Sequence, residues 1–394
     1  MDPDAPGRPL RIAHVTLDGN LPRYGIGLAV VSLARALARA GHEVTLLCRP
    51  DARARSRPRP GCASCRCRGP RGRSRARGPT RGRCAPRSRP RSTSCTSTGS
   101  RGWRGGCAAR ARRGAPLVLT AHASDELGPS ASAAGDAPRA RARRHARRVR
   151  AVLRRADAVL APSRFMADAV EAAGAPRVDV VPLGPTDETP APPAPHEGFV
   201  VLALARFVPV KGLRLLLEAF DAAFRDVPAA RLVLAGDGPE RAALEQEAAA
   251  RGLAARVRFP GYVEGAARRA LLAEADVVAV PTLGAYETFG LSAVDGAAAG
   301  AAVVVADGGA LPERVAGGTG VVVPSGDVAA WAAALRGLFA APDRRRRLAA
   351  AARAALPDDP WIAVAAAHVS VYRRVGLGRL LPGAGVGPSS GLHT

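Results

Sequence analysis

Two cations stand five residues apart in Arg206-Phe-Val-Pro-Val-Lys211-Gly212, directly after an apolar run that reads as a strand and before an amphipathic run that reads as a helix. A guanidinium fork and an ammonium at a helix start suit a diphosphate leaving group, whose developing negative charge needs neutralising by cations and helix amides. The alternative is a pair of solvated surface charges. Lys211 is the only lysine in the chain, and Asn20 the only asparagine, so a coding bias that removed every other lysine has left this one in place.

A second constellation is Tyr286-Glu287-Thr288-Phe289-Gly290-Leu291, with Asp295 eight residues after Glu287, followed by Gly300, Asp307-Gly308-Gly309 and Leu311-Pro312-Glu313. A glutamate here precedes a helix, where it serves either as an N-terminal cap or as a group presented to a ligand. A third is Arg23-Tyr24-Gly25-Ile26-Gly27 after the first strand. Its glycines, Gly25 and Gly27, let backbone amides approach an anion at a helix start. It lacks the third glycine of the dinucleotide fingerprint, and no acidic residue ends the next strand, which weakens a dehydrogenase reading.

The elements that must hold these groups are short Val/Leu/Ala runs alternating with amphipathic Ala/Leu/Arg stretches that end at glycine, the pattern of an α/β protein with parallel sheets. Strands are expected at 11–17, 43–48, 116–121, 158–162 and 178–182, with helices at 27–40, 137–155 and up to Gly174. After a proline-rich linker at 185–198, further strands are expected at 199–205, 231–235, 257–260, 276–280, 302–306 and 321–324. Two doubly wound Rossmann-like domains facing a cleft follow, 1–184 and 199–358, with ligands at the carboxyl ends of the strands. A helix at 359–376 and a disordered tail at 377–394 complete the expectation.

The chain carries a net charge of +25 over 394 residues. Residues 51–113 hold 20 Arg and the single acid Asp51, which leaves 38 basic against 32 acidic residues elsewhere. They contain no Val, Leu, Ile, Phe, Met or Tyr, and Trp103 is their only large apolar residue. Such composition predicts a disordered segment with no core. The vocabulary is that of a GC-rich gene read out of frame, and two compensating frame errors are expected. Six of the seven cysteines (62, 65, 67, 84, 95 and 107) lie in it, but with no His there and no second paired cluster a zinc site does not follow. An Arg-rich nucleic-acid-binding arm is the competing account, disfavoured because the segment interrupts a sheet rather than flanking one. The longest apolar stretch, near 297–306, is about half the length of a membrane helix, and the first residues are no export signal, so a soluble cytoplasmic protein is expected.

Taken with Leu234-Ala-Gly-Asp-Gly-Pro239, Phe259-Pro-Gly-Tyr262 and the runs 25–44 and 118–122, these motifs resemble the family-4 retaining glycosyltransferases of the GT-B fold. The resemblance implies a nucleotide-diphosphate sugar as donor substrate, without further cofactor, and a hydroxyl acceptor: a sugar, a lipid-linked sugar or a small metabolite. It implies that Arg206 and Lys211 hold the diphosphate, that Glu287 with Thr288, Phe289, Gly290 and Leu291 grips the donor sugar and phosphates, and that His122 faces the sugar from the first domain. Asp237 and Gly238 fall near the expected base pocket. Asp295 replaces the family's second glutamate, one methylene short of the ribose. The final helix, from Trp361, is expected to cover the first domain. No Asp-x-Asp pair or His/Asp cluster suggests a metal, nucleic acid is not expected as a partner, peripheral membrane contact stays open, and an inactive relic is the alternative to an active enzyme.

Overall fold

The computed structural model describes residues 9–16, 25–47, 93–98, 116–122, 139–186 and 196–380. Each described apolar run becomes a parallel strand, and each intervening amphipathic run a helix laid against the sheet. The N-terminal series is β1 (Arg11–Thr16), α1 (Gly25–Arg39), β2 (Glu43–Leu47), β3 (Thr93–Thr98), β4 (Leu117–Thr120), α2 (Arg139–Leu153), β5 (Ala158–Ala161), α3 (Arg164–Ala172) and β6 (Val178–Val180). Its sheet has the order β2-β1-β3-β4-β5-β6, all parallel.

The C-terminal series is β7 (Phe199–Leu204), α4 (Leu213–Phe224), β8 (Ala230–Ala235), α5 (Arg241–Ala250), β9 (Val257–Gly261), α6 (Gly265–Ala273), β10 (Val277–Val280), α7 (Leu291–Ala299), β11 (Ala302–Ala306), α8 (Leu311–Arg314), β12 (Val321–Val323), α9 (Val328–Ala340) and α10 (Pro342–Ala354). The sheet order β12-β11-β10-β7-β8-β9 is that of a doubly wound nucleotide-binding fold. Strand order reverses between β7 and β10, and the crevice above that switch point is where ligands bind in such sheets. Strands β7, β10 and β11 are buried along their whole length, because helices cover both faces.

The last helix, α11 (Pro360–Leu380), leaves the C-terminal domain and joins the N-terminal core. Trp361, Val364, Ala365, Val369 and Tyr372 pack with Ile12, Leu33 and Leu37 of β1 and α1. Trp361 also donates its indole N–H to the Pro185 carbonyl at 2.7 Å, which pins the helix to the interdomain linker. None of the described helices is long and apolar enough to cross a membrane.

Two expectations are corrected. Residues 93–98, inside the segment expected to hold no structure, form β3, a central strand whose backbone pairs with β1 in register Arg11↔Thr93 to Thr16↔Thr98 and with β4 from Cys95↔Leu117. The sequence could not show this, since Thr-Ser-Cys-Thr-Ser-Thr lacks the apolar pattern by which buried strands are read. The rest of 51–113 lies outside the described residues. The final helix runs to Leu380, four residues into the expected tail, and 381–394 lie outside the described residues.

Candidate active site

The loops after β7 and β10 meet at the switch point. Beyond β7, the chain turns through Arg206 into a single 3-10 turn, Pro209–Lys211, and then into α4. Gly212 closes that turn at φ 65°, and a Cβ there would lie 2.0 Å from the Pro281 carbonyl oxygen, so only glycine lets the turn press against the end of β10. Leu283 N donates to the Val210 carbonyl at 2.8 Å and fastens the two loops together.

This packing brings Lys211 onto Glu287. Their side chains form a largely buried ion pair, and Thr282 donates its hydroxyl to the same Glu287 Oε1 at 3.2 Å. Lys211 Nζ lies 5.0 Å from the centre of the Tyr286 ring, while Arg206 donates to the Tyr286 hydroxyl at 3.2 Å. Both cations therefore sit on one wall, separated by a tyrosine. The Asp307-Gly308-Gly309 turn supports the Glu287 loop from behind: Ala310 N donates to the Glu287 carbonyl at 2.9 Å, and a Cβ at Gly309 would lie 2.3 Å from that oxygen.

Helix α7 follows Gly290, which offers no capping side chain, and the residues at its start, Phe289 to Ser292, line the cleft. Ser292 anchors this turn by donating to the Leu204 carbonyl at 2.7 Å. The cleft has a volume of about 600 Å³. Its walls include Arg206, Lys211, Glu287 and residues 288–292 from one domain and Gly25 and His122 from the other. A concave site holding two cations, a carboxylate and an uncapped helix start fits an anionic ligand with hydroxyl groups beside it.

His122 follows β4 and is 8% exposed. Burial, and secondarily the neighbouring His368, lower its pKa to about 4, so it enters the cleft as a neutral hydrogen-bonding ring. Its carbonyl accepts from the Thr288 hydroxyl at 2.6 Å. Behind it lie two histidines that sequence reasoning missed. His14 of β1 is held at about 3 by burial, then by His368 and His122, and His368 of α11 at about 4 by burial. Tyr372 hydroxyl lies 3.4 Å from His14 Nε2. A histidine set between the apolar residues Ala13 and Val15 of the first strand was the available signal.

The structure separates other expected residues from the cleft. Asp295, expected at the ribose, is 2% exposed and lies on the buried side of α7. It accepts from the Thr186 amide and, at 2.9 Å, from the Thr186 hydroxyl, and it is ion-paired with Arg268 of α6. Its carboxylate therefore ties the interdomain linker to the C-terminal domain instead of facing the ligand. Gly27 is buried within the first turn of α1, away from the cleft walls. Asp237 and Gly238 occupy the loop after β8, where Asp237 accepts from the Gly238 amide at 2.8 Å, and they do not line the described cavity. Among the described residues no group of three or more His, Cys, Asp or Glu is placed to hold a metal ion.

Comparison with known proteins agrees with this geometry. The family model for glycosyl transferases group 1 matches residues 186–355, and that for glycosyltransferase family 4 matches residues 24–187. A phosphatidyl-myo-inositol mannosyltransferase of Mycobacterium leprae is 36% identical over 183 residues, 46% of this chain and 48% of that protein, so the match spans about half the length of that relative. A D-inositol 3-phosphate glycosyltransferase of Xylanimonas cellulosilytica is 34% identical over 299 residues, covering 70% of this chain and 69% of that protein. Among solved structures, sucrose-phosphate synthase from Thermosynechococcus elongatus has the same fold, with a TM-score of 0.70 at 22% identity over 94% of this chain and 100% of that one. With both halves matched and the two-domain architecture in place, the chain belongs to the family-4 glycosyltransferases of the GT-B fold.

Proposed function

We propose that this protein transfers a sugar from a nucleotide-diphosphate sugar to a hydroxyl acceptor with retention of anomeric configuration. The observation that carries the reading is the convergence of Arg206, Lys211, Glu287 and the α7 start on one wall of the switch-point cleft. An ammonium has three donors, and Glu287 takes one from Lys211, which leaves the others for phosphate oxygens. The guanidinium of Arg206 and the first-turn amides of α7 add fixed positive charge where the diphosphate's charge grows as the glycosidic bond breaks.

In the reaction, the bond from the sugar's anomeric carbon to the β-phosphate oxygen breaks, and its electron pair stays on that oxygen. The acceptor oxygen bonds to the same carbon on the same face, and its proton passes to the departing phosphate. No protein base is needed in this scheme. Glu287 and the neutral ring of His122 hold sugar hydroxyls from opposite sides of the cleft. Arg206 and Lys211 supply the counter-charge, so activity is expected to survive chelation of divalent ions.

The test is transfer from radiolabelled nucleotide sugars to a panel of hydroxyl acceptors. Inositol phosphates and phosphatidylinositol belong in the panel because the names of two relatives contain them. Lys211→Ala is expected to lower kcat/KM on the order of 100-fold, with the fold intact by circular dichroism. Unchanged kcat/KM in both Lys211→Ala and Arg206→Ala would remove the assignment. One observation favours a second reading, an inactive relic: the central strand β3 of the acceptor-side sheet has no residue more apolar than cysteine. Tight nucleotide binding without transfer to any acceptor would support the relic.

A further inference from the structure

One carboxylate at the cleft's edge has no part in the donor site. Glu313 of α8 belongs to the C-terminal domain, yet it accepts two backbone hydrogen bonds from the N-terminal domain. Arg164 N donates to Oε2 at 2.9 Å and Phe165 N to Oε1 at 2.8 Å. These are the first two amides of α3, which no carbonyl within the helix can satisfy. Ser163 accepts from the third, Met166 N, at 3.1 Å, and donates its own proton across the cleft to the Thr288 carbonyl at 2.7 Å. Thr288 returns a bond to the His122 carbonyl at 2.6 Å. The start of α3 is thus capped jointly by its own serine and by the opposite domain.

Resting on the donor-site reading above, we propose that Glu313 is a positioning residue that latches the two domains shut over a bound nucleoside diphosphate. A carboxylate on two helix-start amides gains charge-assisted hydrogen bonds and a favourable helix dipole, and both exist only while the cleft is closed. The latch is wired to the donor site on two sides. Thr288 adjoins Glu287, and Arg314, 3.3 Å from Glu313 Oε2, stacks its guanidinium 4.4 Å from the Phe289 ring at the start of α7. Removing the latch shifts the population toward the open cleft without touching the nucleotide.

Two variants approach the same bonds from opposite sides. Glu313→Gln keeps the shape and removes the charge. Arg164→Pro removes one donor at the first helical position, which proline suits, and with it only the exposed ion pairs of the Arg164 guanidinium to Asp168 and Glu171, which contribute little; the extended Ser163 (φ −154°, ψ 163°) tolerates a following proline. Hydrogen exchange of residues 163–172 in the full chain is measured alone and with UDP, GDP and ADP in turn, beside calorimetric affinity for the nucleotide that binds and turnover of its sugar conjugate. Expected are exchange in α3 about tenfold faster in each variant with nucleotide present, turnover lowered by a similar factor, nucleotide affinity and donor KM within about twofold of wild type, and a double variant no worse than either single one. Unaltered α3 exchange in Glu313→Gln, additive losses in the double variant, or nucleotide affinity falling in step with turnover would overturn the latch. If the wild-type chain binds none of the nucleotides, the donor-site reading fails instead.

Discussion

The two sheets turn their switch points toward the same cleft, and they are built from different material. In the C-terminal sheet the strands beside the reversal are Phe-Val-Val-Leu-Ala-Leu (β7) and Val-Val-Ala-Val (β10), buried throughout. In the N-terminal sheet the corresponding neighbours are β1, Arg-Ile-Ala-His-Val-Thr, and β3, Thr-Ser-Cys-Thr-Ser-Thr. The β1–β3 ladder keeps an unbroken parallel register from Arg11↔Thr93 to Thr16↔Thr98, as the β7–β8 ladder does from Phe199↔Ala230 to Leu204↔Ala235, so backbone pairing does not set β3 apart. What differs is the apolar side-chain content that normally stabilises a parallel strand covered on both faces. Backbone pairing and apolar composition are separable, and β3 has the first with little of the second.

The sharpest way to break this comparison lies in the gene. In a coding sequence biased to G or C at third positions, starting each codon on the third base of the preceding one converts Thr to His or Asp. The same shift converts Cys, and Ser encoded by TCN, to Leu or Val. Residues 93–98 then read His/Asp, Leu/Val, Leu/Val, His, Leu/Val, His/Asp, which is an apolar strand ending in polar groups at the cleft. The other shifted frame yields only Ala, Arg and Pro from the same codons. The nucleotide sequence across codons 45–120 is expected to show the first pattern running without a stop between two compensating errors. If it does not, the segment is genuine and the contrast between the sheets belongs to the protein. In the chain as it stands, amides of β3 are expected to exchange orders of magnitude faster than those of β7, because its residue types supply little apolar burial to hold the strand.

Next in size is the linker anchor. Asp295→Ala leaves Arg268 buried beside Thr186 without its partner, and about 3–5 kcal/mol of stability is expected to go with it. Asp295→Asn should cost less, and neither should weaken nucleotide affinity beyond what the loss of folded protein explains. A selective loss of nucleotide affinity by calorimetry, at unchanged melting temperature, would return Asp295 to the ribose. Asp295→Glu is expected to destabilise by overpacking, because the carboxyl already fills its site.

A further effect separates the halves by pH. His14, His122 and His368 are neutral in the fold, with pKa values far below the ordinary 6.5 because they are buried. Between pH 6.5 and about 4 the unfolded chain binds more protons than the folded one, so stability falls as pH falls through that window. All three lie in the N-terminal unit with α11. Thermal unfolding followed through Trp361, in a chain with Trp103→Phe and Trp331→Phe, should shift downward on acidification more than unfolding followed through Trp331 with Trp103→Phe and Trp361→Phe. Equal shifts would show that the histidine cluster does not govern the difference.

Most of the fold was legible because it is written in local patterns. Valine-rich runs that stop at a glycine turn, such as Ala302–Ala306 before Asp307-Gly308-Gly309, name their own strand and loop. The cations and Glu287 were legible for the same reason, since each sits at a fixed offset from a strand end. What stayed hidden depends on partners far away in sequence. Glu313 meets Arg164 and Phe165 across nearly 150 positions, and Asp295 meets Thr186 across 109. Spacing placed Asp295 on the right helix but could not reveal that Thr186 and Arg268 compete for its oxygens. Strand β3 was hidden because its residue types contradict its place.

The return of α11 has a consequence for synthesis. The C-terminal core is contiguous, from Phe199 to Ala352, whereas one of the two N-terminal clusters, that of β1 and α1, needs Trp361 through Val375 beside Ile12 and Leu33. A ribosome therefore releases every piece of the second domain before it releases the last piece of the first. Contacts such as Tyr372 with His14, 358 positions apart, can close only at the end. The domain that is made first is thus the one that finishes folding last, waiting with an exposed face of α1 that chaperones or a nascent neighbour can reach.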